Sequence, residues 1–191
     1  MGGYMKLNVT KRTAGKKSSS KQLRRAGQVP AIIYKRGNEQ ADNIALNISE
    51  FNALGRQVQP GRLSTNVFTL VDENGQERRA LLKEIQYHVT RYDVLHLDFE
   101  ELVDDVQVNV KVPIECTGVV DCVGIKLGGV LRQVIRYLKV RCLPKDIPSA
   151  FVLDIKNMNQ RETRRLADLN IPESIRPLAD LNEVAVAIVK R

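Results

Sequence analysis

The chain has no tryptophan, two histidines, three cysteines and only 5% aromatic residues among its 191. Each scarcity excludes something. Cys116, Cys122 and Cys142 are odd in number, irregularly spaced and without a histidine close in sequence, so they form neither a disulfide framework nor a paired-ligand zinc motif. No apolar run approaches the roughly 20 residues that a membrane-spanning helix needs. The first residues lack the apolar centre of a secretion signal. A reducing, cytoplasmic location is the expectation. Nucleophile elbows and phosphate-binding glycine loops are absent as well, so neither catalysis nor a metal or cofactor is expected. Acids are scarcest at the start: residues 1–40 hold ten lysines and arginines against a single acid, Glu39.

What is present is positive charge in one place. The net charge is +8. Residues 1–100 carry 16 lysines and arginines against 10 acids, a net of +6, and residues 101–191 carry 14 against 12, a net of +2. Such an imbalance favours a polyanionic partner, because each neutralised phosphate releases counterions. Residues 15–34 concentrate it, as a basic serine-rich loop, a short basic helix and an apolar strand. The helix is expected to run from a cap at Ser18–Ser20 to about Ala26, with Gly27 ending it. Met5 is an alternative start.

Periodicity gives the rest. Met5–Lys11, residues 30–34, residues 43–48, Val67–Val71, residues 79–87 and residues 94–99 read as strands, and Asn74-Gly75 marks a hairpin. Residues 49–55 read as a short helix capped by Ser49 and stopped by Gly55. Six short strands and two small helices predict a closed or nearly closed six-stranded β-barrel over residues 1–100. Residues 101–191 predict a second, mostly β unit, in which residues 106–115 alternate almost throughout and residues 128–142 read as one long strand, straight or bent. Residues 151–155 and 183–189 complete it, and residues 157–169 are polar, basic and ambiguous. The fold class is mainly β with short helices.

Several motifs together resemble a known family. A Gly15-Lys16-Lys17 loop precedes Leu23-Arg24 and then Val29-Pro30-Ala31-Ile32-Ile33-Tyr34. Downstream come Leu82-Lys83-Glu84-Ile85-Gln86-Tyr87-His88 and Val94-Leu95-His96-Leu97-Asp98-Phe99, and later Gly128-Gly129-Val130-Leu131-Arg132 and residues 143–148. In this order they resemble the bacterial large-subunit ribosomal proteins numbered twenty-five, in their long CTC-type form. The resemblance implies a structural protein that binds 5S ribosomal RNA at its loop E region. Neighbouring ribosomal proteins or 23S RNA would contact the second unit, with no membrane and no small-molecule substrate involved. By position it implies RNA contacts from Arg12, Lys17, Ser20, Lys21, Gln22 and Arg24, with Tyr34 beside them and Gln86, His96 and Asp98 completing the surface. Lys21-Gln22 replaces the usual two arginines, Lys35 replaces a glycine and Val89 a proline.

Read as chemistry, Lys16, Lys17, Lys21, Arg24 and Arg25 form either a phosphate clamp or a solvated basic face. Tyr34 serves RNA stacking or the barrel core. Gln86, His96 and Asp98 suit reading of base edges and 2′-hydroxyls in a wide minor groove, or form an ordinary polar barrel face. The alternative function is an RNA-binding or stress-related regulator of related barrel fold acting off the ribosome.

Overall fold

The computed structural model describes residues 5–13, 17–37 and 41–190, and the chain divides into two compact units between Val106 and Gln107. In the first unit the chain forms β1 (Met5–Lys11), α1 (Lys17–Arg25), β2 (Gln28–Lys35), β3 (Ala41–Asn47), α2 (Ile48–Gln57), β4 (Val67–Val71), β5 (Glu77–Tyr87) and β6 (Val94–Glu101). The six strands close into a barrel in the order β1-β3-β2-β6-β5-β4. Alternation drives closure, since residues two apart point the same way. Leu7 and Val9 of β1, Val29, Ala31 and Ile33 of β2, and Leu97 and Phe99 of β6 all face one core, which Phe51 of α2 joins. Phe68 and Phe99 meet edge to face there, with ring centroids 5.9 Å apart at 74°. The seam is parallel: β1 runs beside β4, Met5 opposite Phe68.

One acid is buried at the barrel's rim. Asp72, which follows β4, accepts the Glu73 N–H through Oδ1 at 3.1 Å, and the Lys11 ammonium lies 3.2 Å from its Oδ2. Burial pushes its carboxyl up, but the bond to Lys11, the Glu73 amide and the charges of Lys11 and Arg78 outweigh that and hold it below the usual aspartate range.

The second unit contains β7 (Val108–Thr117), α3 (Val123–Lys126), β8 (Gly129–Gln133), β9 (Tyr137–Cys142), β10 (Phe151–Asp154), β11 (Thr163–Arg165), β12 (Arg176–Pro177) and β13 (Val184–Lys190). They form two sheets, β10-β7-β9-β12 and β11-β13-β8. The core includes Val112, Leu138, Val140, Ile155, Met158, Leu166 and Ile188, none more than 1% exposed. The glycines here are packing requirements. A Cβ on Gly124 would lie 2.7 Å from the Asn159 carbonyl carbon, and one on Gly129 would lie 2.6 Å from the Gly124 carbonyl oxygen.

Three expectations are corrected. Residues 128–142 are not one strand. The chain leaves β8 after Gln133, where the Val134 and Ile135 N–H groups both donate to the Ala185 carbonyl, and β9 then pairs with β7 in the other sheet. No glycine or proline marks that break. α2 is capped by Asn47, whose Oδ1 accepts the Ser49 N–H at 2.8 Å, so Ser49 lies inside the helix. Gly55 does not stop α2, which runs on to Gln57.

Candidate nucleic-acid interface

The basic helix forms, but it opens at Lys17, so Ser18–Ser20, expected as its caps, lie inside its first turn. α1 has no acid in its first turn and ends on Arg24 and Arg25. Leu23 is half-buried, whereas Ser18, Ser19, Lys21, Gln22, Arg24 and Arg25 are exposed and Ser20 is half-exposed. Gly27 ends the helix with φ +76° and open space where a Cβ would sit, a conformation that L-residues avoid at a cost of roughly 1–2 kcal/mol. Its carbonyl accepts the Ile48 N–H at 3.0 Å and so ties the end of α1 to the start of α2. Lys16 lies outside the described residues, and Lys17 opens α1.

A second contact fixes the helix on the sheet. Arg24 Nε donates to the Leu95 carbonyl of β6 at 3.1 Å. His96 follows directly. On the outer face of the barrel the register sets Gln86 opposite His96 and Glu84 opposite Asp98, and Ile32 beside Asp98 on β2. His96 Nδ1 and Asp98 Oδ1 are 2.6 Å apart. Asn43 of β3 stands opposite Ile32, and Arg12 reaches the same row: its Nε donates to the Ile44 carbonyl at 3.1 Å and its Nη2 to Asn43 Oδ1 at 3.3 Å. Arg12 is thus partly engaged by the barrel, which limits how its guanidinium can turn outward.

Tyr34 lies on this outer face, half-buried, opposite Glu100. Its phenol is pushed up by burial and then by the carboxylates of Glu100, Asp98 and Glu84, so it stays a protonated hydrogen-bond donor. Glu100 is 4% exposed and ion-paired with Lys83. Lys35 is 3.4 Å from Glu101, so part of its charge is met within the protein. The two halves of the surface differ in chemistry. α1 offers cations, while the sheet face offers an amide, an imidazole, a phenol and carboxylates. Cations suit phosphates. Carboxylates and amides suit base amino groups and ribose hydroxyls.

Sequence reading missed one side of α1. A groove of about 1320 Å³ is lined by Lys21, Arg24 and Arg25 of α1, Arg56 of α2, and Arg91 and Tyr92 of the β5–β6 turn. Tyr92 is 77% exposed and holds φ 58°, a left-handed backbone unusual for a bulky residue. Its N–H donates to the His88 carbonyl at 2.9 Å, which closes the turn. The signal was the short polar run Thr90-Arg91-Tyr92-Asp93, but nothing local linked it to α1. Among the described residues, no group of three or more metal-ligating side chains is gathered in one place, and no helix is long and apolar enough to cross a membrane.

A closed barrel with a cationic helix pinned to one strand, followed by a second β unit, defines a class of two-unit β proteins. Residues 7–99 match the Ribosomal L25p family, and residues 107–191 match the C-terminal domain of ribosomal protein TL5. The chain is 48% identical over 187 residues to large ribosomal subunit protein bL25 of Chlamydia muridarum, covering 98% of this chain and 100% of that protein. It is 49% identical over the same shares to that of Chlamydia trachomatis serovar L2, and 48% to that of Chlamydia abortus. The chain belongs to the ribosomal L25p family. It is a structural ribosomal protein, not an enzyme.

Proposed function

We propose that this protein is a constituent of the large ribosomal subunit that binds 5S ribosomal RNA at its loop E region. α1 holds phosphates through Lys21, Arg24 and Arg25, helped by Lys16, Lys17 and Ser20. Gln22 adds a neutral donor and acceptor on the same exposed side. The row Gln86, His96 and Asp98, with Tyr34 and Arg12 beside it, meets base edges and ribose hydroxyls across a groove. The observation that carries this reading is the Arg24–Leu95 hydrogen bond, which sets the cationic helix against the strand that bears His96 and Asp98. Charge and recognition chemistry are thereby held in one orientation, as an irregular RNA helix requires. The ribosomal names of the relatives support the assembly.

The test is binding of the full chain to 5S RNA fragments with and without loop E, across a salt series. Tight binding that needs loop E is expected. Its logarithmic slope should be about −0.9 per neutralised phosphate, or about −4 for four contacts. Equal binding to both fragments would leave a generic cationic surface and remove the 5S assignment. Failure to cosediment with large subunits at moderate salt would point to action off the ribosome.

A further inference from the structure

The groove beside α1 has the chemistry of a single-stranded nucleic-acid site. It is lined by Lys21, Arg24 and Arg25 of α1, Arg56 of α2 and Arg91 of the β5–β6 turn. Among the described residues that line it, the one acid is Asp93, which lies 3.2 Å from Arg91. All five cations are exposed. The floor is apolar: Val29, Phe51 and Val94 are buried, and Ile48 and Leu63 are half-buried. Two tyrosines also line it, Tyr87 at 50% and Tyr92 at 77% exposure. The turn that carries Tyr92 is closed by its own hydrogen bonds. The His88 N–H donates to the Asp93 carbonyl at 2.8 Å, and the Tyr92 N–H to the His88 carbonyl at 2.9 Å. His88 Nδ1 accepts the Thr90 and Arg91 N–H groups, each at 3.4 Å. Tyr92 is held there at φ 58°, a conformation that glycine takes without strain. A large exposed ring on strained backbone contributes nothing to the barrel core, and strain of this kind gathers at functional sites.

We propose that this groove holds a short single-stranded segment of RNA, with one unstacked base laid on the Tyr92 ring and the neighbouring phosphates met by Arg25, Arg56 and Arg91. Every base has a π-face, so a tyrosine platform takes it whatever the sequence, while a cationic rim follows the backbone. At about 1320 Å³ the groove exceeds the roughly 300–1,000 Å³ of a small-molecule site, as a chain segment requires and a free nucleotide does not. An acidic peptide would satisfy the arginines but leave the exposed rings without a flat partner. Arg24 lines the groove while its Nε donates to the Leu95 carbonyl, one residue before His96. An RNA strand that leaves the helical surface at α1 therefore has the groove beside it. The proposal rests on the RNA-binding reading above, but not on loop E as the partner.

The test uses the full chain and the variants Tyr92→Gly, Tyr92→Phe and Arg56→Ala, titrated by fluorescence anisotropy against hexauridylate, hexaadenylate and hexaglutamate. The wild type is expected to bind both hexanucleotides at low salt. Tyr92→Gly should bind them at least fivefold more weakly, with the salt slope unchanged because no charge is lost. It should melt no earlier than wild type, since backbone strain has been removed, so the loss cannot come from unfolding. Tyr92→Phe keeps the ring and should bind within twofold of wild type. Arg56→Ala should bind more weakly, with a slope flatter by about 0.7. Failure of the wild type to bind the hexanucleotides would overturn the proposal, and so would wild-type affinity in Tyr92→Gly. Equal loss in Tyr92→Phe would make the contact a hydroxyl hydrogen bond rather than a stack, and would overturn it too. Hexaglutamate binding more tightly than the hexanucleotides, with the same dependence on Tyr92, would assign the groove to an acidic protein segment and likewise overturn it. Binding of 5S RNA by the wild type is measured alongside. Its absence would remove the function proposed above, while Tyr92-dependent binding of the hexanucleotides would still uphold the groove.

Discussion

Replacing Arg24 separates charge from position. Its guanidinium supplies one positive charge to the helix surface, and its Nε also anchors α1 to the Leu95 carbonyl. Lys21, on the same helix and exposed, supplies charge. An exposed hydrogen bond of this kind is worth about 1 kcal/mol, so Arg24→Ala should lower the first unit's melting temperature by roughly 4–8 °C at most. Each of Arg24→Ala and Lys21→Ala should flatten the salt dependence of 5S RNA binding by about 0.9. Extrapolated to high salt, where the phosphate contribution fades, the two should part. Arg24→Ala should remain about fivefold weaker, since about 1 kcal/mol of helix positioning has been lost, while Lys21→Ala should approach wild type. Arg24→Lys should keep the slope and lose the high-salt affinity, because a flexible ammonium cannot both hold Leu95 and face the RNA. Titrations by fluorescence anisotropy from low to high salt read all four proteins. If Arg24→Ala and Lys21→Ala superimpose at high salt, the Leu95 anchor contributes nothing and the positioning argument fails.

Other outcomes follow from the same geometry. Asp98→Ala removes a negative charge, yet should weaken 5S RNA binding about tenfold, because Asp98 orients His96 at 2.6 Å; an increase in affinity would show that its charge merely repels phosphate. Asp72, held below the usual range against its burial, contributes stability that is present above its unfolded pKa and lost as pH falls through the lower folded value. Urea midpoints of the wild type should therefore drop on acidification below about pH 4, and Asp72→Asn should flatten that drop while starting lower at neutral pH. Gly27→Ala should cost about 1 kcal/mol through backbone strain alone, leaving a folded protein by circular dichroism. Gly124→Ala should expose the second unit to limited proteolysis, because its Cβ would meet the Asn159 backbone at 2.7 Å.

Much of this was legible in the sequence, for reasons that differ by element. The barrel strands announce themselves because one face is buried, so apolar residues recur at every second position, as in Leu95-His96-Leu97-Asp98-Phe99. The same alternation placed His96 and Asp98 together on the outer face. The end of α1 was legible from Gly27, a local signal; its start was misplaced, because Ser18–Ser20 lie inside the helix that Lys17 opens. The break between β8 and β9 was not legible, because it depends on Ala185 accepting two N–H groups from a distant segment. The apparent cap at Ser49 misled because Asn47, which looks like the end of a strand, serves both elements. Arg24 and Leu95 are 71 positions apart, and only the register of the closed barrel brings them together. Arg56, Arg91 and Tyr92 were missed for the same reason: each is unremarkable alone, and they share a groove only once α2 and the β5–β6 turn have packed beside α1.

The parallel seam of the barrel has a consequence for the order of synthesis. Met5 has its parallel partner only when Phe68 has been made, and Lys35 only when Glu101 has. A growing chain therefore exposes the polycationic helix well before the strand that will hold it exists. Folding dominated by such distant pairings is slow compared with helical or hairpin-built domains of similar size. Until β6 emerges, α1 has its tie to α2 through Gly27 but lacks its Leu95 acceptor, so its anchorage on the sheet is completed only by barrel closure.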